Sequence, residues 1–316
     1  MRQLRGCSVV ALVALMAATA CGDDVGGSQT SASPTTAAAT SSSSEVAPTT
    51  AMAPATAGSA RLIVLGEDFL LADVLALGFR PVAATATLDD RFTGIDADTS
   101  GIEPLSATDP NLEQLAGFDA DRIVATAFVA DQVGAERLAA IAPTTVLVDD
   151  DWRAALLDLA AELDATERGE ELLARYDAAV EAGRAALPDR LVASLATVYP
   201  GPSLAVWVDG PTNIPQTVLD LGIELEPGPG RFDDERQGRV FLSGELVGEL
   251  SAPLLILSQT SAVEGEDAAL DELSADALWQ GLPAVETGNV VTVDRLGHPG
   301  VEGRIALIDE LVGALG

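Results

Sequence analysis

The chain has 316 residues and a formal net charge of −32, because 49 acidic residues face only 17 basic ones. Every basic residue is an arginine, which excludes chemistry that needs a lysine amine. The acidic excess also argues against nucleic acid and anionic lipid headgroups as partners, since both need a basic surface. The simpler interpretation of this acidic excess is a surface rich in acidic residues that keeps the protein soluble.

Cysteine and histidine are nearly absent. Cys7 and Cys21 are the only cysteines, and His298 is the only histidine. Because both cysteines precede the folded part, disulfides, thiolate metal sites and cysteine nucleophiles are excluded there. Sites built on several histidines are excluded as well.

Residues 1–20 predict a secretory signal peptide, with a basic start, an apolar run and small residues before Cys21. Cys21 with Gly22 resembles the bacterial lipobox, which implies that Cys21 becomes a lipid-acylated N-terminus. The alternative is ordinary signal cleavage that leaves Cys21 as a free thiol. We expect the protein on the extracytoplasmic face of the cell membrane, held there by this lipid anchor alone.

Residues 21–59 predict a disordered tether rich in Ser, Thr, Ala and Pro. Such a segment has too few large apolar residues to offset the entropy of ordering it. A flexible chain of this length reaches about 30–35 Å. A tether of this kind favours an anchored protein over a freely secreted one.

After residue 60, short apolar runs typical of strands alternate with helical stretches, which predicts parallel sheets covered by helices. The predicted strands are Leu62 to Leu65, Val82 to Ala86, Ile123 to Ala127, Thr145 to Val148, Leu195 to Tyr199, Leu204 to Val208, Leu254 to Leu257 and Val290 to Val293. The predicted helices are Phe69 to Leu77, Asn111 to Ala116, Gln132 to Ile141, Trp152 to Leu163, Gln216 to Leu221, Gly244 to Leu250, Ala268 to Leu278 and Val301 to Leu315.

A longer helix is predicted between the two sets of elements, over residues 166–188. Apolar residues recur there at helical spacing, and Pro188 ends the pattern. At about 33 Å such a rod can cross from one lobe to another, although an ordinary surface helix is the alternative. We therefore expect an α/β fold of two Rossmann-like three-layer lobes, residues 60–165 and 189–316, joined by a single long helix.

The two lobes also repeat each other. Residues 111–126 align without gaps on residues 243–258, and both read as a helix, a turn and a buried strand. The alignment matches Glu113 with Glu245. Each acid can complement its own helix N-terminus, which is the structural alternative to a shared function.

These motifs and their order resemble the iron-siderophore and cobalamin-type solute-binding proteins of ABC importers. The resemblance is carried by Leu75-Ala76-Leu77-Gly78, Pro110-Asn111-Leu112-Glu113, Ile141-Ala142-Pro143-Thr144, Ser243-Gly244-Glu245-Leu246 and Gly288-Asn289-Val290-Val291. It implies the class III periplasmic-binding-protein fold, a binding function without catalysis, and docking of Glu113 and Glu245 on arginines of the permease.

In an α/β protein of this kind, a ligand lies against the loops at the carboxyl ends of the strands. Arginines and aromatic residues suit a flat or anionic chelate. Each of them has an alternative role in packing or in a surface ion pair. The predicted ligand-binding residues are Phe69, Arg91, Phe92, Phe128, Trp152, Tyr199, Trp207, Arg231, Arg239, Arg295 and His298.

The resemblance leaves the chelate open. Hydroxamate binders of this class often carry an arginine shortly before the Pro-Asn-Leu-Glu motif, whereas residues 95–109 contain none. A catecholate or carboxylate siderophore, haem and cobalamin stay open beside a hydroxamate. Iron is expected to arrive already chelated, so we expect neither a cofactor nor a protein metal site, and we expect a monomer.

Two other functions are compatible with the sequence. The many carboxylates allow an extracellular acid/base hydrolase, although no particular pair stands out. The lipoprotein could instead bind a partner protein and no solute.

Overall fold

The structure is a computed structural model that describes residues 60–148, 151–201, 203–210 and 212–316. The predicted signal peptide, the tether and Cys21 lie outside these residues. Within the described ranges, no helix is both long and apolar enough to cross a membrane.

The first lobe contains a five-stranded sheet in which all paired strands are parallel. Its strands are β1 (Leu62–Leu65), β2 (Ala83–Ala86), β3 (Glu103–Ser106), β4 (Arg122–Thr126) and β5 (Thr144–Leu147). Their order in the sheet is β3-β2-β1-β4-β5. Strand β3 was not predicted, because it is an edge strand that buries only Leu105 and therefore shows little apolar pattern.

Helices cover this sheet. They are α1 (Glu67–Ala76), α2 (Leu112–Gly117), α3 (Ala127–Val133), α4 (Ala135–Ala139) and α5 (Trp152–Glu162). The prediction of one helix over residues 132–141 is wrong. Thr126 caps a helix that begins earlier, and Gly134, with φ of +99°, divides it from the next.

The long helix between the lobes is α6 (Thr166–Ala186), 21 residues in length. It begins at the predicted residue and ends just before Pro188. Its buried face includes Leu172, Tyr176 and Val180, which recur every four residues as expected for one side of a helix.

The second lobe contains a sheet with one reversed strand. Its strands are β6 (Val192–Tyr199), β7 (Ser203–Trp207), β8 (Glu224–Leu225), β9 (Arg239–Ser243), β10 (Leu254–Gln259) and β11 (Val290–Asp294). The order is β11-β10-β6-β7-β9, and β8 pairs with the start of β6. The expectation of parallel strands is wrong at β7, which is antiparallel to β6 and β9. The chain reverses directly after β6, where Gly201 has φ of +80° and Tyr199 pairs with Ser203.

Helices of the second lobe differ from the predicted bounds in both directions. They are α7 (Asn213–Asp220), a 3₁₀ helix (Gly244–Glu249), α8 (Glu266–Ser274), α9 (Ala277–Gln280), α10 (Pro283–Thr287) and α11 (Gly300–Leu315). The single helix predicted over residues 268–278 is wrong, because the carboxylate of Asp276 accepts a hydrogen bond from the N–H of Leu278 and starts a new helix.

The two sheets share one strand order. Aligned on the internal repeat, β3-β2-β1-β4-β5 corresponds to β9-β7-β6-β10-β11. The two sheets differ at β7. In the second sheet β7 occupies the position that β2 has in the first, but it follows β6 directly in the chain. The strand that comes after α7, β8, has only two residues. A duplicated lobe with an added hairpin strand accounts for this pattern.

The largest apolar core is continuous between the lobes. It joins buried side chains of α1, α6, α7 and α11, including Leu71, Leu172, Val218 and Leu307. Pulling the lobes apart would expose this core to water, at about 25 cal/mol for each Å² of apolar surface. The shared core therefore favours small rocking motions over wide opening.

Candidate functional site

A cavity of about 510 Å³ lies between the lobes. It extends from the strand ends to the facing sides of α1, α5, α7 and α11. The first lobe contributes Glu67, Phe69, Leu70, Asp73, Thr126, Leu147, Trp152, Ala155, Leu156 and Leu159 to its wall. The second lobe contributes Tyr199, Trp207, Thr212, Asn213, Ile214, Pro215, Arg239, Ser258, Arg295, Gly300 and Arg304.

Part of the predicted ligand-binding set meets in this wall. The predicted residues that line the cavity are Phe69, Trp152, Tyr199, Trp207, Arg239 and Arg295. They come from both lobes and are distant in the sequence, so the fold places side chains together that were proposed separately.

Three predicted residues of the first lobe lie outside the wall. Arg91 is exposed, and its Nη2 lies 3.4 Å from the carbonyl oxygen of Ala262 in the second lobe. Phe92 packs against the main core. Phe128 is 63% exposed on α3.

Two predicted residues of the second lobe also lie outside the wall. Arg231 forms an exposed ion pair with Glu249 at 3.0 Å. His298 is nearly buried in the loop before α11, and its Nε2 lies 2.9 Å from a carboxylate oxygen of Glu310. The structure thus gives His298 a neighbour on α11 rather than a place in the cavity.

Trp207 and Arg239 line the cavity, but they do not lie in loops at the carboxyl ends of parallel strands, as was expected. They pair with each other across β7 and β9, and Trp207 pairs with Leu195 in the middle of β6. Because β7 runs antiparallel, its end lies away from the carboxyl ends of the parallel strands. Both side chains therefore extend from the sheet itself rather than from a loop at its edge.

Each arginine of the wall lies over an aromatic ring of the wall. The distances from guanidinium carbon to ring centre are 5.0 Å for Arg239 and Trp207, 5.3 Å for Arg295 and Tyr199, and 4.2 Å for Arg304 and Trp152. Stacking holds a guanidinium plane in place while its N–H groups stay free to donate to oxygen atoms. The wall thus combines flat apolar surfaces with oriented hydrogen-bond donors.

The arginines differ in how their charge is balanced. Arg295 forms an ion pair with Glu266, whose side chain is fully buried. Burial lowers the pKa of Arg304 to about 10, against the attraction of Tyr176 and Asp73. Arg239 has no carboxylate partner among the described residues.

Asp73, Asn213 and Arg304 line the cavity but were not predicted. Burial raises the pKa of Asp73 to about 6, although a hydrogen bond from the N–H of Val301 opposes the rise. Arg304 lies three residues after Val301 and four before Ile308, both buried. A charged residue within the apolar stripe of a helix is the signal that could have identified Arg304.

Glu67 is the other acidic residue of the wall. It is partly buried as the first residue of α1, and both burial and the neighbouring Asp68 raise its pKa. A cationic group beside this carboxylate would stabilise its ionised form.

Glu113 and Glu245 occupy equivalent positions in the two lobes. Both are exposed, Glu113 in the first turn of α2 and Glu245 in the first turn of the 3₁₀ helix. Each helix follows an edge strand of its sheet, β3 and β9 respectively. The Asn111 side chain accepts a hydrogen bond from the N–H of Glu113, whereas Ser243 makes no such cap.

Across the described ranges, no group of three or more His, Cys, Asp or Glu side chains is arranged to hold a metal ion. The wall presents arginine hydrogen-bond donors and aromatic rings, together with the carboxyl groups of Glu67 and Asp73. The wall is therefore suited to recognising a molecule by its oxygen atoms and flat surfaces.

Residues 63–295 match the family model described as periplasmic binding protein. No curated protein sequence matches the chain.

Several solved structures are similar to the chain. Staphylococcus aureus SirA is 21% identical with a TM-score of 0.68, covering 81% of this chain and 98% of its own. Vibrio cholerae FhuD, solved with Fe³⁺-Desferal, is 21% identical with a TM-score of 0.66, covering 81% and 97%. Bacillus subtilis FeuA, solved with Ferri-Bacillibactin, is 16% identical with a TM-score of 0.66, covering 82% and 93%. With its two lobes, linking helix and matching family model, the chain belongs to the periplasmic binding protein family, whose members bind solutes and are not enzymes.

Proposed function

We propose that this protein is the solute-binding component of an ABC importer and that it captures a ferric siderophore or a similar metal chelate between its lobes. The observation that carries the proposal is the set of three arginine–aromatic pairs in the cavity wall. Guanidinium groups bind the oxygen atoms of a chelate, and the rings contact its flat parts. Iron arrives inside the chelate, so the protein supplies no resident cofactor.

Two further observations support this ligand class. A volume of about 510 Å³ lies within the usual range of about 300–1,000 Å³ for small-molecule sites. Proteins of similar fold have been solved with Fe³⁺-Desferal and with Ferri-Bacillibactin, two different iron chelates.

A titration of the purified protein with iron chelates, haem and cobalamin tests the proposal. Trp152 and Trp207 line the cavity, so the bound ligand should quench tryptophan fluorescence saturably and be recovered unchanged by mass spectrometry. Arg239→Gln should weaken binding by about ten- to a hundredfold, because a charge-assisted hydrogen bond contributes about 1.5–3 kcal/mol.

Arg236→Gln is the matched control for this titration. Arg236 is an exposed arginine beside β9 that does not line the cavity, so its loss should change affinity by less than about twofold. If no chelate quenches fluorescence or raises the melting temperature, solute capture is wrong and a protein partner becomes the better function.

The proposal includes docking of the loaded protein on its permease through Glu113 and Glu245. Their exposure and their equivalent places after the two edge strands support a pair of acidic contacts, one on each lobe. Changing both to Arg should abolish uptake and leave chelate affinity intact. Glu136→Arg with Glu272→Arg makes the same charge change at exposed helical sites and should preserve uptake. A loss of chelate affinity in the first variant would contradict a docking role.

Anchoring through acylated Cys21 completes the proposal. The support is the signal-like sequence before Cys21 and the Ser- and Thr-rich tether after it. In the producing cell, Cys21→Ser should release the protein from the membrane fraction. Retention of the variant on membranes would contradict a lipid anchor.

A further inference from the structure

Charges in the cavity wall are separated by lobe. Among the described wall residues, the charged side chains of the first lobe are the acids Glu67 and Asp73. Those of the second lobe are the arginines Arg239, Arg295 and Arg304. A ligand that fills the cavity therefore meets a negative wall on one side and a positive wall on the other.

Three of these charges already have partners within the protein. Arg295 is paired with buried Glu266. Asp73 Oδ1 accepts a hydrogen bond of 2.8 Å from the N–H of Val301. The buried Arg304 donates a hydrogen bond from Nη1 to the carbonyl oxygen of Asn213 at 3.4 Å and also stacks on Trp152.

Two charges are left for a ligand. In the part of the chain that the structure describes, neither Glu67 nor Arg239 has an ion-pair partner within 4.0 Å. The first belongs to the first lobe and the second to the second lobe. A ligand between the lobes is thus offered one free carboxylate from one lobe and one free guanidinium from the other.

The backbone holds Glu67 in an unusual conformation at the cavity. Its φ is +58°, in the left-handed region that costs a residue with a side chain about 1–2 kcal/mol. The N–H of Glu67 donates to Thr85 Oγ1 at 2.9 Å, and the N–H of Gly66 donates to the same oxygen at 2.8 Å. The buried Thr85 hydroxyl therefore stabilises the turn that carries the Glu67 side chain.

Arg239 is held in a comparable way on the opposite lobe. Its guanidinium carbon lies 5.0 Å from the ring centre of Trp207 and 5.3 Å from that of Phe241. Two rings restrict the guanidinium group without using its N–H donors. Arg239 can therefore bind an oxygen atom of a ligand with little loss of side-chain entropy.

We propose that the ligand carries separated charges, with a cationic amine facing Glu67 and the oxygen atoms of the chelate facing Arg239. This rests on the proposed function and narrows it from metal chelates in general to those with a free amine. A chelate of high negative charge would meet Arg239 favourably but would place uncompensated charge against Glu67.

Two ferric hydroxamates with the same iron-binding groups provide the test. Ferrioxamine B carries a free terminal ammonium, and N-acetylated ferrioxamine B lacks it. The protein should bind ferrioxamine B at least about tenfold more tightly. Glu67→Gln should remove this preference, so that the two chelates bind with affinities within about twofold of each other. Arg239→Gln should weaken both chelates alike.

Glu103→Gln is the control, because Glu103 is an exposed acid of the first lobe outside the cavity. It should keep the preference for the free ammonium. Equal binding of the two chelates by the unaltered protein, or a preference that survives in Glu67→Gln, overturns the inference and leaves the proposed function standing. Binding of ferric enterobactin, a trianionic chelate, without either ferrioxamine also overturns the inference alone. If the protein binds no chelate at all, both the inference and the proposed function are wrong.

Discussion

Asp73 in the first lobe accepts a hydrogen bond of 2.8 Å at Oδ1 from the backbone N–H of Val301, the second residue of α11 in the second lobe. The N-cap residue of α11, Pro299, provides no side-chain cap of its own. A carboxylate from one lobe thus satisfies a helix N-terminus of the other. This hydrogen bond joins the lobes at the cavity wall.

Removing the Asp73 side chain should destabilise the protein. Asp73→Ala leaves the N–H of Val301 without its acceptor, and loss of an N-terminal cap costs about 0.5–2 kcal/mol. Asp73→Asn keeps an oxygen acceptor and is the matched variant. Urea unfolding of both proteins at one pH measures the difference, and equal stability of the two variants would show that the cap contributes nothing.

The Asp73 carboxyl should also make stability depend on pH. Its pKa in the folded protein is about 6, above its ordinary value of 3.8, so the folded state holds the proton more tightly. The contribution of the Asp73 carboxyl to the free energy of unfolding is fully present below its ordinary pKa and is lost as pH rises through about 6. Relative to Asp73→Asn, the unaltered protein should therefore become less stable between about pH 4 and about pH 8. Parallel pH profiles of the free energy of unfolding would contradict this.

Gly94 marks a close approach between the lobes. It has φ of +66°, and a Cβ there would lie 2.2 Å from the carbonyl oxygen of Leu296. Gly101 has φ of +80° with no atom within 4 Å of a Cβ. Both Ala substitutions should cost about 1–2 kcal/mol for the backbone conformation. Gly94→Ala should cost about 1–3 kcal/mol more for the clash. Equal losses in denaturant unfolding would mean that the two loops separate freely.

The ion pair of Arg295 and Glu266 should be critical for folding. Glu266 is 0% exposed and Arg295 is 23% exposed, so removal of the acid leaves a largely buried cation unpaired. Glu266→Gln should therefore destabilise the protein by about 3–5 kcal/mol. The exposed pair of Arg231 and Glu249 is the comparison, and Glu249→Gln should cost about 0–1 kcal/mol. Thermal unfolding distinguishes them, and similar melting temperatures would contradict the prediction.

Thr197 orients a ring of the cavity wall. The indole N–H of Trp207 donates to Thr197 Oγ1 at 3.2 Å, and both residues are buried. Thr197→Val should cost about 1–3 kcal/mol, because it leaves a buried donor unpaired. Thr197→Ser keeps the hydroxyl and should cost about 1 kcal/mol for the lost methyl group. A smaller loss in the Val variant than in the Ser variant would show that the hydrogen bond is unimportant.

The fold follows from the sequence wherever its signals are local. The strand Leu62–Leu65 is buried at all four positions and was predicted with its correct bounds. The helix α6 was predicted from apolar residues at helical spacing and from Pro188, which follows its end. The missed strands are short edge strands, β3 and β9, and the two-residue β8, and hydrogen bonds to distant strands define them rather than a strong pattern of their own.

The candidate site was only partly predictable. Tyr199 and Arg295 follow from the rule that ligands lie beside the carboxyl ends of strands. Trp207 and Arg239 were named, but the antiparallel β7 that presents them was not expected. Asp73 and Arg304 were missed because they lie inside helices, where a charged residue ordinarily faces water.

By itself, the sequence determined the class of fold, the two related lobes, the helix between them and most of the elements. These depend on residue periodicity, turn chemistry and an internal repeat, all of which act over short stretches of chain. Only the tertiary structure decided which side chains share the cavity. The shared cavity wall of Glu67 and Arg239 and the hydrogen bond from Val301 to Asp73 bring together residues more than 170 positions apart. Such pairs arise from packing one lobe on the other, and no local pattern in the chain records them.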